Sequence, residues 1–305
     1  MGNTVLEISV GIPSYNEGAS LPNLITSIVS QNLPPSMHLL EVLVSDDSND
    51  ETSELLEEVA KNNTSIRSFH HRARRGVSAA WNEILAEARG DVIVLVDADT
   101  VASPDLLVLL SSRISSKIGL VAANSSPLSP KTFFAKASFF VGKWLQEIRR
   151  SFEANQFTVI GRGLAIRSDV AKKVTIPKDL LAPDLYIACR VKELGYDIAY
   201  AEDAIINFRP TESMRDFASQ VVRAFLGHRQ LRKYSGTTLK KIGVPSQIVT
   251  AFEVARSYPL YAMATAIAYI LLPFTLPRVL RGASHYLWDV PETSKLKEGH
   301  KQSNR

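Results

Sequence analysis

Val92-Ile93-Val94-Leu95-Val96-Asp97-Ala98-Asp99-Thr100 is an unbroken apolar run that ends in two carboxylates one residue apart. A Val- and Ile-rich run without polar alternation suits a parallel strand covered on both faces, and open α/β sheets bind ligands beyond the carboxyl ends of such strands. Asp97 and Asp99 are therefore expected at a ligand-facing edge. Side chains two apart in an extended segment point the same way, so both carboxylates can address one hard divalent cation. The alternative is an acidic strand-to-helix turn in which Ser103 caps a helix begun by Pro104.

Outward from this strand, short apolar runs alternate with amphipathic stretches. The runs are Val5 to Ile12, Leu39 to Val44, Ile66 to Phe69, Val92 to Val96 and Ile118 to Ala122. Between them, Leu21 to Val29, Leu55 to Val59, Val77 to Ala88 and Leu106 to Ile114 have the spacing of crossover helices. This βαβα succession predicts a doubly wound, mostly parallel sheet flanked by helices. After Asn124 the pattern changes to an aromatic and basic stretch from Phe133 to Phe152 and then two short strands around Gly161 and Gly163. The expected organisation is a nucleotide-binding half over 1–123 and a substrate- or acceptor-facing half over 124–235, followed by a helical, membrane-associated extension over 236–285 and a polar, disordered tail over 286–305.

With 305 residues, 45% of them hydrophobic, the chain can build a substantial core. Cys189 is the only cysteine, so no internal disulfide is possible, and no paired Cys/His metal site is visible. A reducing compartment is expected. The amino terminus shows neither an export signal nor an acylation motif, since Leu6 stands where myristoylation requires Ser or Thr. Net charge is +4, but Arg209 to Lys241 carries eight Lys or Arg against Glu212 and Asp216. That excess fits a membrane surface or a phosphorylated substrate, or else a solvated helix face. From Ser257 to Pro277 no residue is charged, and Arg256, Arg278 and Arg281 flank the segment. Spanning a bilayer, lying in its interface and forming a buried core helix are the three readings of this segment.

Five separated elements occur in one order: Gly11-Ile12-Pro13-Ser14-Tyr15-Asn16-Glu17, Val44-Ser45-Asp46-Asp47-Ser48, Arg74-Arg75-Gly76-Val77-Ser78-Ala79-Ala80-Trp81-Asn82, Asp97-Ala98-Asp99 and Pro183-Asp184. On these elements, over about residues 5 to 235, the chain resembles the inverting nucleotide-sugar glycosyltransferases of family 2, which have the GT-A fold. The resemblance implies a nucleotide-diphosphate-sugar donor, a divalent cation such as Mg2+ or Mn2+, and transfer with inversion to a nucleophilic acceptor. Nucleic acid is not among the implied partners.

Each element also reads on its own. Pro13, Tyr15 and Glu17 would line the switch-point crevice, Tyr15 offering a stacking face and Glu17 an acceptor; the alternative makes Asn16 a helix cap. Asp46 ends the second strand and is, by resemblance, the reader of the base; an acidic turn is the alternative. Arg75, with Arg74, stands at a helix start where guanidinium and backbone N–H groups can meet phosphate. Asn82 matches an Asn of the family. Asp99 is the expected metal ligand, and by resemblance Asp97 contacts ribose or orders the site. Asp184, at the start of a helix running to Leu194, is the expected general base, with Pro183 where the family has Glu; simple capping is the alternative. Gly161 and Gly163 resemble the glycine-containing strand pair beneath the donor sugar, where small residues allow close backbone approach. Gln220 and Arg223 share one helical face and resemble a Gln-x-x-Arg-Trp motif, with Arg223 toward diphosphate and Gln220 toward the acceptor. Ala224 stands in place of its Trp, which disfavours processive synthesis.

The expected function is metal-dependent, non-processive transfer of a sugar to a lipid-linked or saccharide acceptor at the cytoplasmic face of the cell membrane. The alternatives are a nucleotidylyltransferase, for which the glycine-rich, lysine-containing amino-terminal signature is missing, and a catalytically idle membrane scaffold.

Overall fold

A computed structural model describes residues 5–282 except 153, 156, 237 and 238. The polar tail expected over 286–305 lies outside the described residues. In chain order the elements are β1 (Leu6–Ser14), α1 (Leu21–Val29), β2 (Met37–Asp46), α2 (Thr52–Asn62), β3 (Ile66–His70), α3 (Val77–Glu87), β4 (Val92–Val96), β5 (Thr100–Ala102), α4 (Leu106–Ser111) and β6 (Ile118–Pro127). There follow α5 (Phe133–Ser151), β7 (Gly163–Arg167), α6 (Ser168–Ala171), α7 (Pro183–Glu193), β8 (Asp197–Phe208), α8 (Met214–Leu231), α9 (Val244–Ser257) and α10 (Pro259–Gly282).

The eight strands form one sheet in the order β3-β2-β1-β4-β7-β6-β8-β5. The pairs β3·β2, β2·β1, β1·β4 and β6·β8 are parallel, whereas β7 and β5 run antiparallel to their neighbours. All five residues of β4 are buried, and they alternate between two cores. Ile93 and Leu95 face the side packed with Trp81, Ile84, Leu164 and Leu185, and Val92, Val94 and Val96 face the side packed with Leu24, Leu56 and Leu107. Two-sided burial of this kind explains why the run carries no polar alternation.

Three sequence expectations are corrected here. Asp97 to Asp99 form a turn between β4 and the short strand β5, held by the Thr100 amide and hydroxyl, which both donate to the Asp97 carbonyl at 3.3 and 2.7 Å. The two acids are therefore brought together by a turn rather than by strand alternation. Ser103 is not a helix cap, because Asp105 precedes α4. Instead of two strands around Gly161 and Gly163, a turn through Gly161 leads into the single strand β7.

Helices α9 and α10 do not stand apart from the sheet domain; α10 lies against α5 and α8 through Ala137, Phe217, Ala264 and Ala268. Ala264 and Ala268 are fully buried, while Leu260, Met263, Ile270 and Phe274 on the outer side are 54–75% exposed. This inverts the usual amphipathic order, small residues facing the protein and large apolar ones facing out. Among the described residues no helix is long and apolar enough to cross a membrane.

The packing predicts opposite responses on the two faces of α10. Ala268→Leu should cost about 1–3 kcal/mol by overpacking against α5 and α8, whereas Ile270→Ser should stay within about 0.5 kcal/mol. Urea unfolding of both variants checks this; equal losses would contradict the assignment of faces.

Candidate active site

The carboxyl ends of β1, β2 and β4 meet in a polar cleft of about 200 Å3. Pro13, Ser14, Tyr15, Glu17, Asp47, Arg74, Asp97 and Asp99 line it, closed by Arg162, Gln220 and Arg223. Asn16 is not a helix cap. It sits at φ 54°, four residues before the Ser20 cap of α1. Its amide donates to Ser48 Oγ at 2.7 Å and its side chain exchanges hydrogen bonds with Asn49, so it ties the β1 loop to the β2 loop. Ser14, 5% exposed, lines the cleft, and its buried hydroxyl has no hydrogen-bond partner.

Two expected donor-site residues turn out to face away from this cleft. Asp46 is fully buried, and its carboxylate is held by the Ser48 hydroxyl and by His70 Nδ1 at 2.9 Å. It is the next residue, Asp47, that lines the cleft. Likewise Arg75 is absorbed by an internal network: its guanidinium reaches Asp47 Oδ1, Ser45 Oγ and Glu83 Oε2, each at 2.9 Å. Burial raises the Glu83 carboxyl, but hydrogen bonds from Arg75, Ser45 and His71 outweigh it and hold the group below its ordinary range. Arg74 is the arginine that lines the cleft, its guanidinium 4.0 Å from the Tyr15 ring centroid. One face of Tyr15 is therefore already covered. Asp47 also receives the amides of Arg75 and Gly76, which pins the start of α3 to the end of β2. Gly76 holds φ 83°, a conformation that favours glycine.

Asp97 is the most perturbed acid of the cleft. Burial first, and the neighbouring charge of Asp99 second, push its carboxyl up to about 7; Arg162 and Arg223 pull it back, and Asp184 adds to the rise. Desolvation, more than the neighbouring charge, thus disfavours the ionised form of Asp97. Among the described residues no cluster of three or more His, Cys, Asp or Glu forms a protein-only metal cage. Two hard carboxylates beside an open polar cleft do fit a Mg2+- or Mn2+-type cation, which takes one or two carboxylates and completes its shell with phosphate oxygens and water.

A second cavity, of about 390 Å3, adjoins the first through Val77, Asp97, Arg162, Gln220 and Arg223, which line both. Asp184 lies on its wall. It occupies the first turn of α7 behind Pro183, but it does not cap that helix; its Oδ2 accepts from the Gly161 amide at 3.0 Å across the cavity. Gly161 also lines the cavity, and a Cβ there would meet the Trp81 ring at 3.3 Å. Gly163 does not line either cavity. A Cβ at Gly163 would lie 2.7 Å from Ala123 Cβ, so its smallness serves the β6–β7 contact. Asn82 exchanges hydrogen bonds with the Ile176 backbone and holds a loop. Sequence reasoning passed over Asp47 and Arg162 as site residues, and it paired Arg74 with Arg75 without telling which of them lines the cleft. Arg162 lies 3.8 Å from the Phe208 ring centroid, and its signal was a lone cation between two glycines.

A family model described as Glycosyl transferase family 2 matches residues 9–174, and one described as Glycosyl transferase family group 2 matches residues 92–279. Among curated proteins, the probable glycosyltransferase YdaM of Bacillus subtilis is 27% identical over 211 residues, 65% of this chain and 50% of that protein. The chain thus spans about half the length of that relative. Glycosyltransferase AglE of Haloferax volcanii is 24% identical over 246 residues, 79% of each chain. Among solved structures, the mannosyltransferase PcManGT from Pyrobaculum calidifontis in complex with GDP-Man and Mn2+ superposes with a TM-score of 0.59 at 19% identity, over 92% of this chain and 76% of that one. At that identity the likeness is one of fold.

The raised carboxyl of Asp97 yields a stability prediction for the ligand-free protein. The folded state holds this proton more tightly than the unfolded chain, whose carboxyl sits near 3.8. The destabilising effect of Asp97 is therefore full above about pH 7 and fades as pH falls toward 4. Asp97→Asn should raise the melting temperature at pH 8 by several degrees, on the order of 1–2 kcal/mol, with a smaller gain at pH 5. A loss of stability at pH 8 would contradict it.

Proposed function

The chain belongs to glycosyl transferase family 2, and on that premise we propose that it moves a sugar from a nucleotide-diphosphate-sugar to an acceptor hydroxyl, with a divalent cation, Mg2+ or Mn2+, and with inversion at the anomeric carbon. The observation that carries the reading is the pair of cavities joined at Asp97, Arg162, Gln220 and Arg223, one polar and acid-lined, the other holding Asp184. The polar cleft takes the donor, with Tyr15 and Arg74 beside the base, Asp47 accepting from it, and Asp97 toward ribose. Asp99, with Asp97 next to it, would hold the cation. When bound, such a cation stabilises the charge that develops on the departing diphosphate.

The chain's own groups carry the remaining work. Asp184 takes the acceptor hydroxyl proton as that oxygen bonds to the anomeric carbon. The carbon–oxygen bond to the diphosphate breaks on the opposite face, and its electron pair leaves with the nucleoside diphosphate. Arg162 and Arg223, which line both cavities, stand where that negative charge must be met. Ala224, lining the second cavity without an aromatic platform, supports a single transfer per encounter. The acceptor is lipid-linked or a saccharide, and the outward apolar face of α10 supports work at a membrane surface, on the cytoplasmic side.

Asp184→Asn keeps the hydrogen bond from Gly161 but loses the base. It should lower the transfer rate by about 10²–10⁴-fold with donor affinity unchanged, measured as kcat with a nucleotide-sugar panel and as direct donor binding. Wild-type turnover in this variant would remove Asp184 from the reaction, and product with the donor's anomeric configuration by NMR would refute inversion.

A further inference from the structure

We propose that the 390 Å3 cavity behind Asp184 is a subsite for the apolar chain of an amphiphilic acceptor, reached from the exposed apolar surface of α8 and α10. The inference deepens the transferase reading above, and rests on it for the role of Asp184.

Three observations converge. Val141, Leu145, Phe157, Phe217 and Val221 form apolar walls outside the donor cleft, while Asp97, Arg162 and Arg223 stand at the end shared with the cleft and Asp184 and His228 also stand on the lining. Folded interiors leave few voids larger than a water molecule, and an apolar void of this size is of the scale that holds a ligand. A free saccharide would press its hydroxyls against walls that offer them few partners.

The rim of the cavity runs into exposed apolar surface. Ala224 lines it and is itself exposed, beside Phe225 at 68%; Tyr269 lines it and is 43% exposed, beside Ile270 at 68%. A chain leaving a bilayer or a micelle thus meets apolar side chains from the surface inward. Helix α10 has the residue order of a lipid-facing helix, with alanines against the protein and large apolar side chains outward.

The test is titration of the full chain with decyl phosphate below its micelle concentration, against ethyl phosphate, read by the fluorescence of Trp81 and Trp144, both of which line the cavity. The expected result is saturable quenching by decyl phosphate at least a hundredfold tighter than by ethyl phosphate, because each buried methylene adds about 0.8 kcal/mol. Ala224→Phe, which narrows the rim at an exposed position without adding a tryptophan to the signal, should weaken decyl phosphate at least tenfold. Equal affinity for the two phosphates, or no saturation, overturns the proposal, as does undiminished binding in Ala224→Phe. Thermal stabilisation by nucleotides with Mn2+, measured on the same samples, separates the two readings. If it persists without chain-dependent binding, the subsite falls and the transferase stands; if it is missing while decyl phosphate binds, the reverse holds.

Discussion

Placing two carboxylates, one residue apart, at the end of a fully buried strand is the constraint around which this molecule is arranged. β4 can lie at the centre of the sheet only because its five side chains divide between two cores. That central placement delivers Asp97 and Asp99 to the mouth of the cleft, where burial and mutual repulsion raise the Asp97 carboxyl. The arginines that offset this come from distant parts of the chain, Arg162 from the turn before β7 and Arg223 from α8. The second half of the fold is therefore tied electrostatically to the first, and the two cavities adjoin at the residues that carry this balance.

The first half of the sheet was legible because buried parallel strands leave a distinctive residue pattern. The runs from Leu6, Leu39, Ile66 and Val92 all became strands, and the stretches between them became α1, α2 and α3. The second half was less so. β8 carries Glu202 and Asp203 inside a 12-residue strand and resembles no simple apolar run, and the three residues of β5 are too few to give a signal. At the site, the first and fourth motifs put Pro13, Tyr15, Glu17, Asp97 and Asp99 on the cleft, whereas in the second and third it is the neighbour of the residue singled out that lines it. Asp46 and Asp47 are equivalent in sequence, as are Arg74 and Arg75; the turns beyond β2 and β3 decide which side chain reaches the cleft. Asp46 went to His70 and Ser48, and Arg75 went to Asp47 and Glu83, leaving Asp47 and Arg74 on the cleft. Gly163 was misread for a related reason, since closeness to Ala123 across the sheet is a tertiary fact.

The network around Arg75 gives the donor side its rigidity. Arg75 joins Asp47, Ser45 and Glu83, and His71 closes on Glu83 at 3.0 Å, so β2, the loop after β3 and α3 share one set of charge-assisted hydrogen bonds. The second cavity is built differently, beside helices that pack through alanines and aromatic edges. A fixed polar cleft beside a looser apolar chamber suits a reaction in which one substrate is recognised by hydrogen bonds and the other by burial.

The central claim, a cation-assisted nucleotide-sugar site at Asp97 and Asp99, is tested most directly by titrating the purified protein with nucleoside diphosphates and nucleotide sugars, with and without Mn2+, and following thermal stabilisation, since ligands that bind only the folded state raise its stability by mass action. The account predicts Mn2+-dependent stabilisation by nucleotides of one base, abolished in Asp99→Ala. Stabilisation by none of them, or stabilisation that persists unchanged in Asp99→Ala, would contradict it.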